Sequence, residues 1–233
     1  MNAPVFDLHS HTHYSACGRD EPEALVETVM AAGVDLLGIT DHSYGIGARK
    51  AEYRERIEGL KEAFRGRIRL LCGIEIPSLP HVFDFPGFDF HEIRDYEYCL
   101  IEHITDPDSV IGKDLFAVCE KIGIRCGIAH TDLFAYCVQY GLDMKEFFGE
   151  MSRRGIFWEM NVNYDSIHQY REHTYVKDFM ELSPMRDIIR DAGVYVSVGF
   201  DSHRREDYDG ARVRAMNDFL RAEGILTADQ LFP

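Results

Sequence analysis

The chain has 233 residues, 45% hydrophobic and 28% charged, with 40 acidic against 25 basic side chains and a net charge of −15. This is the profile of a globular protein, expected to form a single domain over residues 1–233, and it excludes a disordered or fibrous chain. An acidic balance with no Lys/Arg-rich tract repels phosphate backbones and anionic lipid, so neither nucleic acid nor a membrane is expected as the main partner.

No apolar run reaches the roughly 20 residues that span a bilayer. The start, MNAPVFDLHSHTHYS, lacks the basic and apolar stretches of a secretory signal, and a cytoplasmic location is expected. The six cysteines, Cys17, Cys72, Cys99, Cys119, Cys126 and Cys137, form no CxxC pair. Most lie in apolar runs, where a reduced cysteine packs as a small hydrophobe.

In chain order, the first strand is predicted over VFDLHSH, near 5–11. A helix follows over EPEALVETVMAAG, with proline at its start and Gly33 at its end. DLLGITD (35–41) reads as the second strand, and KAEYRERIEGLKEAFRG as a helix with Tyr53, Ile57, Leu60 and Phe64 on one face. IRLLCGIEI (68–76) is the third strand. Residues 77–97, with Pro77, Pro80 and Pro86, read as an extended loop over one mouth of the fold. YCLIEHI (98–104), IRCGIAH (124–130), IFWEMNVN (156–163) and VYVSVGFDSH (194–203) complete the strands, the last preceded by the helix SPMRDIIRDAG. Seven apolar, β-branched segments alternating with helices predict parallel strands joined by right-handed crossovers, in a closed or nearly closed barrel, with an open sheet as the alternative.

Metal-capable side chains fall at the C-terminal ends of these strands: His9 and His11, Asp41 and His42, Glu75, His103, His130, then Asp201 and His203. In a parallel barrel these ends meet at the face that carries active sites. Six of the chain's 11 histidines sit there, too regular for scatter. Residues two apart on a strand share a face, so His9 and His11 can reach one ion, as can Asp201 and His203. Imidazole mixed with carboxylate suits Zn, Mn or Fe better than Ca or Mg.

The segments DLHSHTHYS, GITDH, GIE, EH, AH and GFDSH, in that order, resemble the motifs of the PHP family, named for polymerase and histidinol phosphatase. The resemblance runs from residue 7 to residue 203. It implies a distorted (β/α)7 TIM-like barrel holding two or three divalent metal ions, Zn, Mn or Fe, that hydrolyses phosphoesters. By position, His9, His11, Glu75 and Asp201 would hold a first ion. Glu75, His103 and His130 would hold a second, with Glu75 bridging. His42 and His203 would belong to a third. Relatives complete that third set with a histidine where Cys17 stands or an aspartate where Ala16 stands. Cys17 thiolate is a reasonable replacement, with Asp20 and Glu21 as other options.

The expected reaction is hydrolysis of a small phosphomonoester (histidinol phosphate, a sugar phosphate or a nucleotide) by a metal-bridging hydroxide, with Glu75 and Asp201 as catalytic carboxylates. Arg19, Arg204 and Arg205 are candidate phosphate contacts, and Glu159 and Asn161 could reach substrate polar groups. His13 is expected behind the ligands. His81, His91 and His168 show no distinguishing spacing. The competing expectations are amidohydrolase-type C–N hydrolysis, where a lysine commonly forms the bridge, and a non-catalytic metal-binding domain.

Overall fold

A computed structural model describes residues 3–233. Among them, seven parallel strands lie side by side in chain order: β1 (Phe6–Asp7), β2 (Leu36–Ile39), β3 (Arg69–Pro77), β4 (Tyr98–Glu102), β5 (Arg125–Ile128), β6 (Phe157–Asn161) and β7 (Val196–Gly199). Every residue of β1, β2, β4, β6 and β7 is buried, as expected for strands covered on both faces. The ring closes between β7 and β1. Leu8 N–H donates to the Val198 carbonyl (2.8 Å), Asp201 N–H to that of His9 (2.7 Å), and His11 N–H to that of Ser202 (2.8 Å). The result is the expected distorted (β/α)7 barrel.

The helices are α1 (Pro22–Ala31), α2 (Ser43–Ile46), α3 (Lys50–Ala63), α4 (Leu115–Ile122), α5 (Leu133–Tyr140), α6 (Met144–Arg154), α7 (Thr174–Glu181), α8 (Ser183–Ala192) and α9 (Gly210–Ala222). Gly33 and Gly193, with φ of 81° and 68°, end α1 and α8 in the left-handed conformation a side chain resists. Strict strand–helix alternation fails once. Between β3 and β4 there is only a short turn of 3-10 helix at Phe90–Ile93. Pro80 and Pro86 cannot continue a helix, and Phe83, Phe85, Phe88 and Phe90 pack on one another instead. Lys50 of α3 lies over the Phe88 ring and Lys121 of α4 over Phe90, so the segment fills the outer layer where a helix would run.

Inside the barrel, the Tyr98 hydroxyl donates to the Leu8 carbonyl at 2.7 Å. Gly38 and Gly73 make room for this ring; a Cβ on Gly38 would stand 1.8 Å from the Tyr98 hydroxyl and 3.1 Å from Leu8 Cα. Overpacking of this kind costs about 1–3 kcal/mol. Gly38→Ala is therefore expected to lower the urea midpoint by a corresponding amount, and an unchanged midpoint would mean that Tyr98 moves freely.

Candidate metal centre

The strand ends converge. His9 Nε2 and His11 Nε2 face each other at 3.1 Å, and Asp201 Oδ1 stands 3.5 and 3.0 Å from them. Glu75 sits in the middle with its oxygens turned to different partners. Oε1 faces His130 Nε2 (3.0 Å) and His9 Nε2 (3.3 Å), while Oε2 faces His42 Nδ1 (2.9 Å) and His11 Nε2 (3.4 Å). Potential ligand atoms lie mutually within 4.8 Å in five overlapping sets: His9/His11/Asp201, His9/Glu75/His130, His42/Glu75/Glu102, His11/Cys17/His42/His203 and Asp165/His168/His203.

A surrounding frame fixes these groups. Glu159, in the middle of β6, accepts from His9 Nδ1 and from His130 N–H, each at 2.8 Å. Asp7 accepts from the N–H groups of His9 and Phe200 and from the Tyr208 hydroxyl, which ties β1 to β7. Burial raises the Asp7 carboxyl to about 7, although all three donors oppose the shift. Asp41 is buried and accepts four bonds, from the N–H and hydroxyl of Thr12 and of Ser15, at 2.6–2.9 Å. It organises the loop after β1 instead of facing the ligands. Removing so fully bonded a buried carboxylate is expected to cost about 3 kcal/mol. Asp41→Ala should show this as a lowered denaturation midpoint of the metal-free protein, and a midpoint unmoved would remove Asp41 from the frame.

The backbone carries strain at the same place. His103, His130 and Asp201, at the ends of β4, β5 and β7, have φ of 62°, 34° and 56°. Such conformations cost on the order of 1–3 kcal/mol for residues other than glycine, and they persist where the surroundings enforce them.

Burial works against charge on His9, yet Glu159, Glu75 and Asp201 overcome it and hold the imidazole well above its usual range. Burial would likewise raise Glu75, but His9 and His42 bring it well below the usual carboxylate range. Burial, then His42 and His203, push His11 down to about 3. Two atoms remain orphaned: Glu75 Oε2 and His42 Nδ1 are 2.9 Å apart, yet neither has an aligned hydrogen-bond partner. Facing imidazole nitrogens, unsatisfied buried atoms and concentrated carboxylate charge are what a divalent cation would resolve. The donor set fits one.

Most of the residues picked out in the sequence meet here; some do not. His103 is turned away from Glu75: its Nε2 pairs with Glu102 Oε2 at 2.8 Å and its side chain is 44% exposed. Arg19 is exposed, although its N–H donates to the His203 carbonyl. Arg205 pairs with Asp20, and Arg204 reaches the Ser166 hydroxyl at 3.4 Å. Glu159 and Asn161 point at their neighbours and not outward, Asn161 donating to Asp201 Oδ2 at 3.3 Å. His13 faces Glu21 on the surface. Sequence reasoning passed over Glu102, whose signal was its place at the end of β4, and the Asp165–His168 pair. That pair lies in the loop after β6, where no periodicity announces it; His168 Nδ1 meets Asp165 Oδ1 at 2.7 Å and Nε2 lies 3.6 Å from Asp201.

The parallel barrel thus carries, at its strand ends, a cluster of groups able to hold metal ions. A family model for the PHP domain matches residues 7–183, and the chain belongs to this family. β7, with Asp201 and His203, lies beyond the matched stretch yet completes the cluster. Solved structures share the fold, two of them as follows. A histidinol phosphate phosphatase from Lactococcus lactis, complexed with zinc, L-histidinol and phosphate, is 15% identical with a TM-score of 0.64, over 96% of this chain and 95% of that one. A Listeria monocytogenes protein bearing the name histidinol phosphatase is 13% identical with a TM-score of 0.54, over 87% of this chain and 96% of that one. No curated protein matches the chain. Among the described residues no helix is long and apolar enough to cross a membrane.

Proposed function

We propose that the protein is a metal-dependent phosphoesterase acting on a small phosphomonoester. The observation that carries this reading is Glu75, buried at the centre with one oxygen toward His9 and His130 and the other toward His11 and His42. A carboxylate so placed can bridge two ions. His9, His11 and Asp201 would hold one, and His130 would hold the other with Glu75; Glu102 Oε2 lies 3.8 Å from His130 Nε2 and pairs with His103. Divalent ions, when bound, supply charge that neutralises a phosphoryl group and make water acidic enough to ionise near neutral pH.

The chain's own residues do the rest. Glu159 takes the Nδ1–H of His9, which directs the other ring nitrogen into the cluster. Asn161 and Asn163 donate to Asp201 Oδ2, at 3.3 and 3.4 Å, and fix which of its oxygens stays free. Arg204 is the arginine best placed to meet a phosphate. Its Nε is buried without a partner beside the loop that carries His168. Histidinol phosphate, sugar phosphates and nucleotides are the candidate substrates. The similarity to the Lactococcus lactis enzyme makes histidinol phosphate the first to assay.

The test is a panel of these phosphomonoesters alongside a p-nitrophenyl amide, assayed with protein loaded with Zn or Mn. Metal-dependent phosphate release without amide cleavage is expected. Amide cleavage in its place would select C–N hydrolysis, and inertness toward the whole panel with metal bound would select a non-catalytic domain.

A further inference from the structure

The loop after β1 brings a thiol to the centre. Cys17 lies with His11, His42 and His203 such that their potential ligand atoms are all within 4.8 Å of one another. The His11 ring stacks between those of His42 and His203, with centroids 4.5 Å from each. His42 is 8% exposed; its Nδ1, unaligned for a hydrogen bond, faces Glu75 and Glu102 at 2.9 and 3.4 Å, and Nε2 is its second donor. His203 is 5% exposed and places Nδ1 on the Asp201 carbonyl at 2.9 Å, which leaves Nε2 as its free nitrogen. Since His11 Nε2 already faces His9, Glu75 and Asp201, it is shared with the neighbouring position. Cys17, His42 and His203 remain as three protein donors. A tetrahedral ion bound by three protein groups keeps one position open for substrate.

We infer that Cys17, with His42 and His203, forms a thiolate-containing ion position that selects Zn(II) or Co(II) over Mn(II) and Mg(II). Soft thiolate with imidazole favours the former pair, whereas carboxylate-rich sets accept the latter. A set without sulfur lies on the other side of His203, namely Asp165 and His168. The two sets compete for one imidazole, and they predict different spectra. The inference rests on reading the centre as a metal site but is independent of phosphoester turnover.

The test is Co(II) added to metal-free protein. A near-ultraviolet thiolate-to-cobalt charge-transfer band is expected in the unaltered chain and in Asp165→Asn, and its loss is expected in Cys17→Ser. Bound cobalt without the band, or a band that survives Cys17→Ser, would overturn the assignment. A second readout needs no variant. Cys17 is partly exposed while the other five cysteines are buried, so alkylation of the native chain reports on Cys17. Zinc is expected to slow its reaction with iodoacetamide about tenfold or more, since a ligated thiolate is a poor nucleophile. An unchanged rate with zinc bound would again overturn it. If the band and the protection hold while no phosphoester is cleaved, the ion position stands and the proposed activity falls.

Discussion

Stripping the protein of metal is expected to lower phosphate release on the order of 10³-fold, equivalent to about 4 kcal/mol of transition-state stabilisation. Without ions, a phosphate approaching the centre meets Glu75, Glu102, Glu159 and Asp201, all buried and repulsive. Ions reverse that sign locally even though the chain's net charge is −15. Re-addition of Zn or Mn should restore the rate and raise the melting temperature, because a ligand that binds only the folded state stabilises it. Acid should work in the same direction as chelation. Ligand imidazoles and the Cys17 thiol must lose protons to bind, so metal occupancy rises with pH and falls as pH falls. A stripped protein that keeps its full rate would end the metal-dependent reading.

The second large effect is expected from Glu75→Gln. The amide keeps the shape but removes the charge and one acceptor oxygen. His42 loses the partner that most directly opposes its burial, and His9 loses one of three, keeping Glu159 and Asp201. In the metal-free protein this leaves the buried imidazole of His42 with Glu102 as its remaining carboxylate, a defect of up to about 3 kcal/mol. In the loaded protein the bridging position is lost, and a rate reduced on the order of 10³-fold is expected, together with a fall in bound metal. His13→Ala is the matching control. That side chain faces Glu21 at the surface, and neither stability nor metal content should change. Glu75→Gln with undiminished metal content would show that Glu75 is a structural partner of the histidines and no more.

Much of this was legible in the chain because a parallel barrel turns sequence position into spatial position. Short apolar runs fix the strands, so His9, Glu75, His130 and Asp201 had to meet at one face. The His9–His11 pair shows the limit. Both residues lie beyond the last residue of β1, so loop anchoring by Asp41 completes what strand alternation begins. His103 departs further. Its left-handed backbone turns the side chain outward, and the preceding Glu102 faces His42 and His130 instead. No periodicity argument can foresee a sign change in φ. The missing helix between β3 and β4 follows from Pro80 and Pro86, which the sequence displays. The packing of Phe83, Phe85, Phe88 and Phe90 into the outer layer depends on α3 and α4, distant in the chain. Arg19 and Arg205 show why charge beside a motif is a weak guide, since one is exposed and the other is taken by Asp20.

Anomalous diffraction from crystals of the zinc-loaded protein tests the central claim most directly. Two peaks flanking the Glu75 carboxylate are predicted, one near His9, His11 and Asp201 and one near His130. A carboxylate with no ion on either oxygen, while zinc sits elsewhere on the molecule, would contradict the account.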